Sequence, residues 1–348
     1  MSHRRVTQAD IAREAGVSVA VVSLVLSGKA DGRASQGTIE AVKKAASALG
    51  YHPNLIARGL RTQESRTIGL LSVEVATTPY AGDLLGAVQM VCRERGFNLV
   101  FMEVLNSPEE IQEGLRILSQ QMAQGVILAT FFHQPVVLPD NRPQHLVLAD
   151  CFATNAQTTA FVPGEKDSFR QVLDEVHEYG HKEVAFVLHD ADLPATRQRR
   201  QAFLEAAKDF GWSNPADRIV LVADSNSQDG FLAVDEVFSA VPDVTAIICY
   251  TDRLAMGVYS GLSRRGLRIP QDISVVGFDD QKLISEGISP GLTTVRLPHL
   301  EMGQRAATHL IDLIDGLIED NHETVEIIGP LVQRGSVSQP AHAKTKAQ

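Results

Sequence analysis

This chain of 348 residues is poor in the patterns that mark secreted, membrane-spanning and metal-binding proteins. Its three cysteines, Cys92, Cys151 and Cys249, are odd in number and far apart, which argues against a disulfide framework and a zinc site. Buried free thiols in a reducing cytosol are the expected state. The N-terminus lacks the apolar segment of a secretion signal, and no apolar run is long enough to span a bilayer. We therefore expect a soluble, cytoplasmic protein without membrane contact.

Sequence motifs of two large classes of nucleotide-using enzymes are absent as well. The chain has no G-x-x-x-x-G-K-S/T phosphate loop and no G-x-G-x-x-G dinucleotide fingerprint. His177 and His181 stand four positions apart, but Gly180 falls between them at a predicted helix end, which favours a turn over a metal pair. We expect no catalytic residue, no metal and no cofactor.

The net charge of −10 argues against a nucleic-acid partner, but the charge is unevenly distributed. Residues 1–62 hold nine Lys and Arg against four Asp and Glu, a net charge of +5, which leaves −15 for the remainder. A basic N-terminal region on an acidic chain predicts that only this region meets a polyanion such as DNA. An ordinary solvated surface is the alternative interpretation.

Residues 7–27 are the most informative part of the basic region. Thr7 can cap one short helix, with Asp10 reaching back to the Thr7 amide, and Gly16 supplies the backbone freedom to end that helix. Ser18 can cap a second helix that has an apolar face. Two short helices with a glycine-containing turn predict a helix-turn-helix, whose second helix can enter a DNA major groove. An ordinary helical hairpin is the alternative.

Strands and helices alternate from residue 67 onward, in two series. Such alternation predicts parallel sheets with helices on both faces, and two series predict two lobes with a ligand cleft at the carboxyl ends of their strands. The fold class is therefore an all-α head followed by a two-lobed α/β body. The predicted domains are a head at 1–50, a hinge helix and linker at 51–66, a first lobe at 67–163 with about 292–325, a second lobe at 164–291 with about 326–336, and a disordered tail at 337–348.

Short segments along the chain form a characteristic combination. The N-terminal segments are Asp10-Ile11-Ala12, Ala15-Gly16-Val17-Ser18, Val22-Ser23, Val25-Leu26, and Leu49-Gly50-Tyr51-His52-Pro53-Asn54 with Ala57-Arg58 and Leu60. The body adds Tyr179-Gly180-His181, Thr251-Asp252, Gly277-Phe278-Asp279-Asp280, 289–295 and 331–336. In order and spacing these segments resemble the LacI/GalR family of bacterial transcription regulators, over nearly the whole chain. The resemblance implies a periplasmic-binding-protein-like body and a DNA-binding regulator, with a repressor as the favoured type.

The resemblance implies that a homodimer places two heads on an inverted-repeat DNA operator. Four hydroxyl groups would anchor the head to phosphates, those of Thr7, Ser18, Ser23 and Ser27. Three residues would face bases, Val19, Ala20 and Leu24, and here the chain departs from the family because no bidentate donor remains. Contacts to thymine methyls together with DNA shape are the favoured interpretation, since the basic surround is intact. Weak binding or unusual specificity is the alternative.

The linker is the second DNA-contacting segment that the resemblance implies. A short helix beginning at Pro53 would fold in the minor groove, where Leu60 wedges into the central base step and bends the duplex. Simple packing is the alternative for Leu60. Three neighbours would face the groove or its phosphates, namely Asn54, Ala57 and Arg58. Because the C-terminus has no heptad pattern, a dimer is favoured over a tethered tetramer.

In the resembled family the cleft holds a small effector, most often a sugar or a nucleobase derivative. The positions that carry over are Tyr80, Asp150, Arg199, Asp252 and Asp279. Arg199 would bond to ligand hydroxyls or a carboxylate, and the acids would accept from sugar hydroxyls. A helix N-cap or a hinge contact is the alternative for each acid. The chain departs from the family at Gly164-Glu165 and at Ser225, which argues against a common hexose and leaves a different polyol, a phosphorylated sugar or another kind of molecule open as effectors.

Two other classes of protein fit parts of the pattern. An enzyme could use the two-lobed body, and so could a small-molecule-binding protein of the transport or cytoplasmic type. The missing enzyme motifs, the missing export signal and the basic N-terminal region argue against them. The predicted function is therefore a dimeric, sequence-specific transcriptional regulator that an effector controls by shifting its conformational equilibrium. Whether the effector releases or promotes DNA binding stays open.

Overall fold

The structure is a computed structural model that describes residues 6–27, 30–51, 65–73 and 82–341. The chain divides into two compact units, Met1–Ser65 and Arg66–Gln348. The first unit contains the predicted head, and the second unit is the body. Most of the predicted linker, residues 52–64, falls outside the described residues.

The described residues of the head form three helices: α1 (Gln8–Ala15), α2 (Val19–Leu26) and α3 (Gln36–Ala48). The ends of α1 and the start of α2 confirm the predicted caps. The Thr7 amide donates to Asp10 Oδ2 at 2.9 Å, and the Ser18 and Ser35 hydroxyls accept from backbone amides three residues on. Gly16 ends α1 in the left-handed region, with a φ of 67°. The sequence therefore sets the bounds of these helices through local hydrogen bonds.

The three head helices enclose a small apolar core. Ile11 from α1, Val22 from α2 and Val42 from α3 are fully buried, and Val25 joins Val22 on one face of α2. Each helix thus contributes one apolar stripe, and α3 supports the pair formed by α1 and α2. This arrangement leaves the opposite side of α2 available to a partner.

The first sheet of the body is parallel throughout. Its strands are β1 (Thr67–Val73), β2 (Asn98–Val104), β3 (Gly125–Val136), β4 (Leu146–Ala153), β5 (Ala160–Pro163) and β11 (Thr324–Ile327). They lie in the order β11-β5-β4-β3-β1-β2. The helices that pack on this sheet are α4 (Gly82–Glu94), α5 (Pro108–Gln120) and α11 (His299–Ile314).

The second sheet is parallel except for one short edge strand. Its strands are β6 (Val184–His189), β7 (Ile219–Val222), β8 (Ala246–Cys249), β9 (Ser274–Asp279), β10 (Thr293–Arg296) and the antiparallel β12 (Leu331–Val332). They lie in the order β12-β10-β9-β8-β6-β7. The helices of this part are α6 (Glu165–Glu178), α7 (Pro194–Asp209), α8 (Ser227–Ala240), α9 (Asp252–Arg264) and the short α10 (Lys282–Ser285), with a 3₁₀ turn at Pro215–Arg218.

The central strands are apolar on both sides because helices cover both faces of each sheet. In β1, Ile68 and Leu70 point into the core shared with α4 and α11, whereas Leu71 and Val73 point into the core beneath α5. This alternation follows from the two-residue period of a strand. The predicted fold class, a helical head and a two-lobed α/β body, is confirmed.

Three chain segments cross between the two sheets, after β5, β10 and β11. They run side by side, since the Gly164 amide donates to the Ile327 carbonyl at 2.8 Å and the Arg296 amide to the Pro330 carbonyl at 2.9 Å. Two predicted boundaries were wrong here. Residues 293–296 pair with β9 in the second sheet, and residues 326–327 pair with β5 in the first. The sequence misleads because α11, which follows β10 directly, does cover the first sheet.

The predicted disorder at 337–348 was also wrong in its first residues. Val337 is only 9% exposed, and the Ser338 carbonyl accepts from His181 Nε2 at 2.8 Å. The Ser338 amide donates to Ser274 Oγ at 3.1 Å. These contacts hold the segment against the second sheet, although its polar sequence gives no sign of burial. Residues 342–348 lie outside the described part of the chain.

The three cysteines are buried free thiols, as predicted. Burial raises the pKa of Cys92 to about 11 and that of Cys151 to about 12, so both stay protonated at neutral pH. Within the described residues, no helix combines the length and the apolar character needed to cross a membrane.

Candidate functional site

The N-terminal end of α2 is the most exposed apolar surface of the head. Val19 is 46% exposed, and Ala20 beside it is exposed as well. Leu24, one turn further along, is half-buried and packs against the head core. Of the three residues predicted to face bases, Val19 and Ala20 are thus accessible, whereas Leu24 shares its surface with the core.

The hydroxyl groups that are predicted to anchor phosphates differ in whether their own proton is already donated within the head. Thr7 Oγ1 donates to Asp10 Oδ2 at 2.7 Å, and Ser27 Oγ donates to the Leu24 carbonyl at 3.0 Å. Ser18 Oγ accepts from the Val21 amide at 3.3 Å, which leaves its own proton for a phosphate oxygen. Ser23 is half-buried on α2. In this arrangement Ser18 is the best placed of these donors.

Exposed basic side chains surround the helices of the head. Arg13, Arg33, Lys43 and Lys44 are exposed, and Arg13 lies at a long 3.4 Å from Asp10. Because these side chains are long, exposed and weakly paired, they lose little free energy when they move to a DNA phosphate. Several predicted contacts lie outside the described residues, namely Asn54, Ala57, Arg58 and Leu60 of the linker and Tyr80 of the body.

A cavity of about 250 Å³ lies between the two sheets of the body. Three of the residues predicted to bind an effector meet there: Asp150 from β4, Asp279 from the end of β9, and Arg199 from α7. The carboxyl ends of parallel strands converge at such an edge, which explains why residues far apart in sequence share one site. The geometry brings together two carboxylates and a guanidinium.

Two hydrogen bonds and two aromatic rings hold the guanidinium group of Arg199. Its Nε donates to Glu165 Oε2 at 2.7 Å, and its Nη1 donates to the Tyr250 carbonyl at 2.7 Å. Its guanidinium carbon lies 3.5 Å from the centre of the Phe278 ring and 4.6 Å from that of Tyr250. Burial alone would lower the pKa of Arg199, but Glu165, Tyr250 and Asp279 together outweigh it and raise that pKa. Arg199 is therefore a paired, permanently charged group.

Asp150 and His133 line the cavity, and each has one buried polar atom without a hydrogen-bond partner among the described residues. Asp150 is 2% exposed and His133 is 6% exposed. His299 Nε2 lies 3.3 Å from Asp150 Oδ2, whereas Asp150 Oδ1 and His133 Nδ1 have no hydrogen-bond partner among the described residues. Burial raises the pKa of Asp150, although His299 opposes the shift. Buried polar atoms in this state are costly unless a ligand or water satisfies them.

The backbone at the cavity floor is strained. Asp150, Asp279 and Asp280 have φ values of 58°, 121° and 54°, in a backbone region that residues other than glycine seldom adopt. Such conformations cost on the order of 1–3 kcal/mol each and cluster at ligand sites. Asp280 is fixed by Arg296 at 2.8 Å and Arg334 at 2.7 Å, so ion pairs hold the turn after β9. Burial raises the pKa of Asp279 to about 6, against the opposing charge of Arg199.

Asp252 does not reach the cavity, so its predicted place at the cleft rim was wrong. It is fully buried, and it accepts from Thr294 Oγ1 at 2.6 Å and from the Gln281 amide at 2.7 Å. Asp252 thereby joins the start of α9 to β10 and to the turn after β9. Burial and the charge of Asp279 raise its pKa well above the usual range. The helix-end or hinge alternative is the one that the structure supports.

Sequence analysis missed several residues of the cavity. Glu165, His133, Tyr250, Asp224 and Arg253 line it, and none was singled out as a ligand-binding group. The departure from the family at Gly164-Glu165 was the available signal for Glu165. His133 carried no signal, because β3 extends to Val136 beyond the short strand that its apolar residues predict. Within the described residues, no cluster of His, Cys, Asp and Glu is arranged to hold a metal ion.

Comparisons with known proteins bear on both units of the chain. Residues 7–54 match the bacterial regulatory proteins of the lacI family, and residues 173–337 match the periplasmic binding protein-like domain. The sucrose operon repressor of Escherichia coli is 30% identical over 314 residues, which cover 88% of this chain and 94% of the repressor.

Two solved structures extend the comparison to three dimensions. The transcriptional regulator CelR in complex with cellobiose is 26% identical, with a TM-score of 0.66 over 95% of this chain and 100% of that one. The lac repressor dimer bound to operator and the anti-inducer ONPF has a TM-score of 0.78 over 96% of this chain and 100% of that one. Its identity is 22%, so this second likeness is one of fold.

Proposed function

Because this chain belongs to the lacI family of bacterial regulatory proteins, we propose that it is a cytoplasmic transcriptional repressor that binds an inverted-repeat operator as a homodimer. A small-molecule effector held between the two sheets of the body controls it. The observation that carries this proposal is the combination of a capped helix-turn-helix with exposed cations and a buried polar cavity in one chain.

The head would place α2 in the major groove of DNA. Val19 and Ala20 then contact bases through apolar surface, which suits the methyl groups of thymine. Ser18 donates to a phosphate near the N-terminus of α2, where the helix dipole also favours an anion. With no bidentate donor on this helix, Leu60 in the linker and the shape of the DNA supply the rest of the specificity.

The effector would occupy the cavity lined by Asp150, Arg199 and Asp279. A sugar or polyol is the proposed class, since buried carboxylates and an imidazole bind hydroxyl groups well. The solved complex of CelR with cellobiose is a precedent within this fold. A ligand that contacts both sheets favours one relative arrangement of them, and the three neighbouring crossings would act as the hinge between arrangements.

We expect no enzymatic turnover from this site. The segment at 287–291 spells G-x-S-x-G, but it joins α10 to β10 rather than a strand to a helix, so it does not form a nucleophile elbow. Measurable hydrolysis of a sugar phosphate or a nucleoside by the purified protein would contradict this expectation.

A gel-shift experiment with the gene's own upstream region tests the proposal. We expect a retarded band with a palindromic fragment and a steep loss of affinity with salt, because each cation on a phosphate releases a counterion. The double variant Lys43→Ala/Lys44→Ala should flatten the salt dependence by about one unit of slope for each phosphate that it no longer neutralises. Lys208→Ala, which removes an exposed cation of the body, is the matched control. No retardation of any upstream fragment at low salt would refute the proposal.

A further inference from the structure

The guanidinium of Arg199 is neutralised by the protein before any ligand arrives. The side chains of Arg199 and Glu165 are 4% and 2% exposed, and their contact of 2.7 Å is shielded from water. Two of the donor nitrogens are in use, and the guanidinium carbon lies close to the rings of Phe278 and Tyr250. An acidic ligand would therefore have to displace Glu165, or else approach a pair with no net charge.

The remaining charge of the cavity is negative. Its described lining carries the carboxylates Asp150, Glu165, Asp224 and Asp279, and the guanidinium groups Arg199 and Arg253. These four carboxyl groups outnumber the two guanidinium groups, although burial raises the pKa of Asp150. In a site of low dielectric an excess of one sign repels a ligand of that sign strongly. The cavity thus disfavours phosphates and carboxylates.

The guanidinium group of Arg253 does not neutralise the excess negative charge inside the cavity. Arg253 is exposed, and its Nη2 donates to Ser225 Oγ at 3.2 Å. It lies at the mouth of the cavity close to Asp224, whose pKa is lowered chiefly by Asn226 and Ser225 and further by Arg253. Its charge is therefore shared with water and with a neighbouring carboxylate.

Asp150 and His133 line the cavity and give it polar side chains that can exchange hydrogen bonds with a ligand. Asp150 Oδ1 and His133 Nδ1 are buried and lack a partner among the described residues. An oxygen of Asp150 accepts a hydrogen bond when ionised, and either ring nitrogen of histidine can accept or donate. Hydroxyl and amino groups satisfy such atoms, because each can donate a proton.

We propose that the effector is a hydroxylated molecule without an acidic group, either uncharged or amine-bearing, and that Glu165 sets this selectivity by occupying Arg199. Asp150 and His133 bind the ligand's hydroxyl or amino groups. The inference rests on the proposed function, since it assumes that the cavity is the effector site. Of the effectors that the sequence leaves open, it favours polyols over phosphorylated sugars.

The experiment replaces Glu165 in the full-length chain and measures anion binding. We expect Glu165→Gln to bind inorganic phosphate, by calorimetry at constant ionic strength, on the order of tenfold more tightly than the wild type, because one opposing charge beside the guanidinium is gone. Glu205→Gln is the matched control, since it breaks the exposed ion pair with Lys166 between the same two helices, α6 and α7, without touching the cavity. This control should bind phosphate as the wild type does.

Equal phosphate affinity in Glu165→Gln and the wild type would overturn the role of Glu165. Should that variant fail to fold, the wild type still decides with glucose, glucosamine and glucose 6-phosphate as probes. Tighter binding of glucose 6-phosphate than of glucose overturns the inference. Tighter binding of glucose or glucosamine than of glucose 6-phosphate supports the inference. The same preparations are tested for operator retardation, so a failure to bind DNA counts against the proposed function and a preference for phosphate counts only against the selectivity.

Discussion

His181 joins three parts of the second sheet through one buried imidazole. It is 1% exposed; its Nε2 lies 2.8 Å from the Ser338 carbonyl, and its Nδ1 lies 2.9 Å from Thr245 Oγ1. A carbonyl only accepts, so Nε2 carries a proton and donates it to Ser338. Burial lowers the pKa of His181 to about 4, against the opposing hydrogen bond to Ser338.

This lowered pKa predicts a loss of stability in acid. Between about pH 6.5 and 4 the unfolded chain binds a proton at His181 that the folded chain does not. The free energy of unfolding therefore falls as the pH is lowered through this window, by up to about 1.4 kcal/mol per pH unit. Urea denaturation at several pH values measures the slope. In His181→Asn this contribution should vanish, while the comparison at about pH 8 isolates the cost of the missing hydrogen bonds. An unchanged acid slope in the variant would contradict the assignment.

At the residue scale, local chemistry was predictable and long-range chemistry was not. The box formed by Thr7 and Asp10 spans three residues, so the sequence reveals it directly. Asp252 was misplaced because its partners, Gln281 and Thr294, lie in segments that only the folded sheet brings together. The pairing of Arg199 with Glu165 depends in the same way on the packing of α6 against α7.

Among the elements, α8 and α9 pack with their backbones in close contact. A side-chain carbon on Gly257 would lie 2.0 Å from the Ser227 carbonyl, and one on Gly230 would lie 2.2 Å from the Leu254 carbonyl. Neither neighbour can yield, because both are backbone atoms inside helices. Glycine at these positions is therefore required by the approach of the two helices rather than by an unusual backbone angle.

Gly257→Ala should destabilise the body. The added methyl forces α8 and α9 apart, and overpacking of this kind costs about 1–3 kcal/mol. Gly86→Ala is the matched control, since Gly86 is an exposed helical glycine of α4 with open space around it. That change should stabilise by roughly 0.5–1 kcal/mol through helix propensity. Thermal unfolding of the two variants beside the wild type compares them, and similar shifts would show that the packing is looser than the structure indicates.

The sequence predicts most elements but not all of their partners. Periodicity predicts helices such as α6 and α7, because the apolar pattern lies within each helix. The strand β10 has four residues, and its place in the second sheet depends on pairing with β9. The short β5 and its pairing with β11, far along the chain, were hidden for the same reason.

For the whole molecule, charge and burial are divided between the two units. The N-terminal 62 residues carry the basic excess, whereas the body carries three large apolar cores and the acidic excess. A polyanion is attracted to the first and repelled by the second. The cavity, in contrast, is built entirely from residues of the body. DNA binding and effector binding thus depend on separate parts of the chain.

Removal of residues 1–62 should therefore abolish one activity and keep the other. The remaining body retains both sheets and all the described cavity residues, so we expect cooperative thermal unfolding and the same ligand-induced stabilisation as in the full-length protein. It should retard no DNA at low salt, because its net charge is strongly negative. Thermal unfolding and gel-shift assays on the two proteins give both readouts. Retained operator binding by the body alone would show that the head is not the DNA-binding unit.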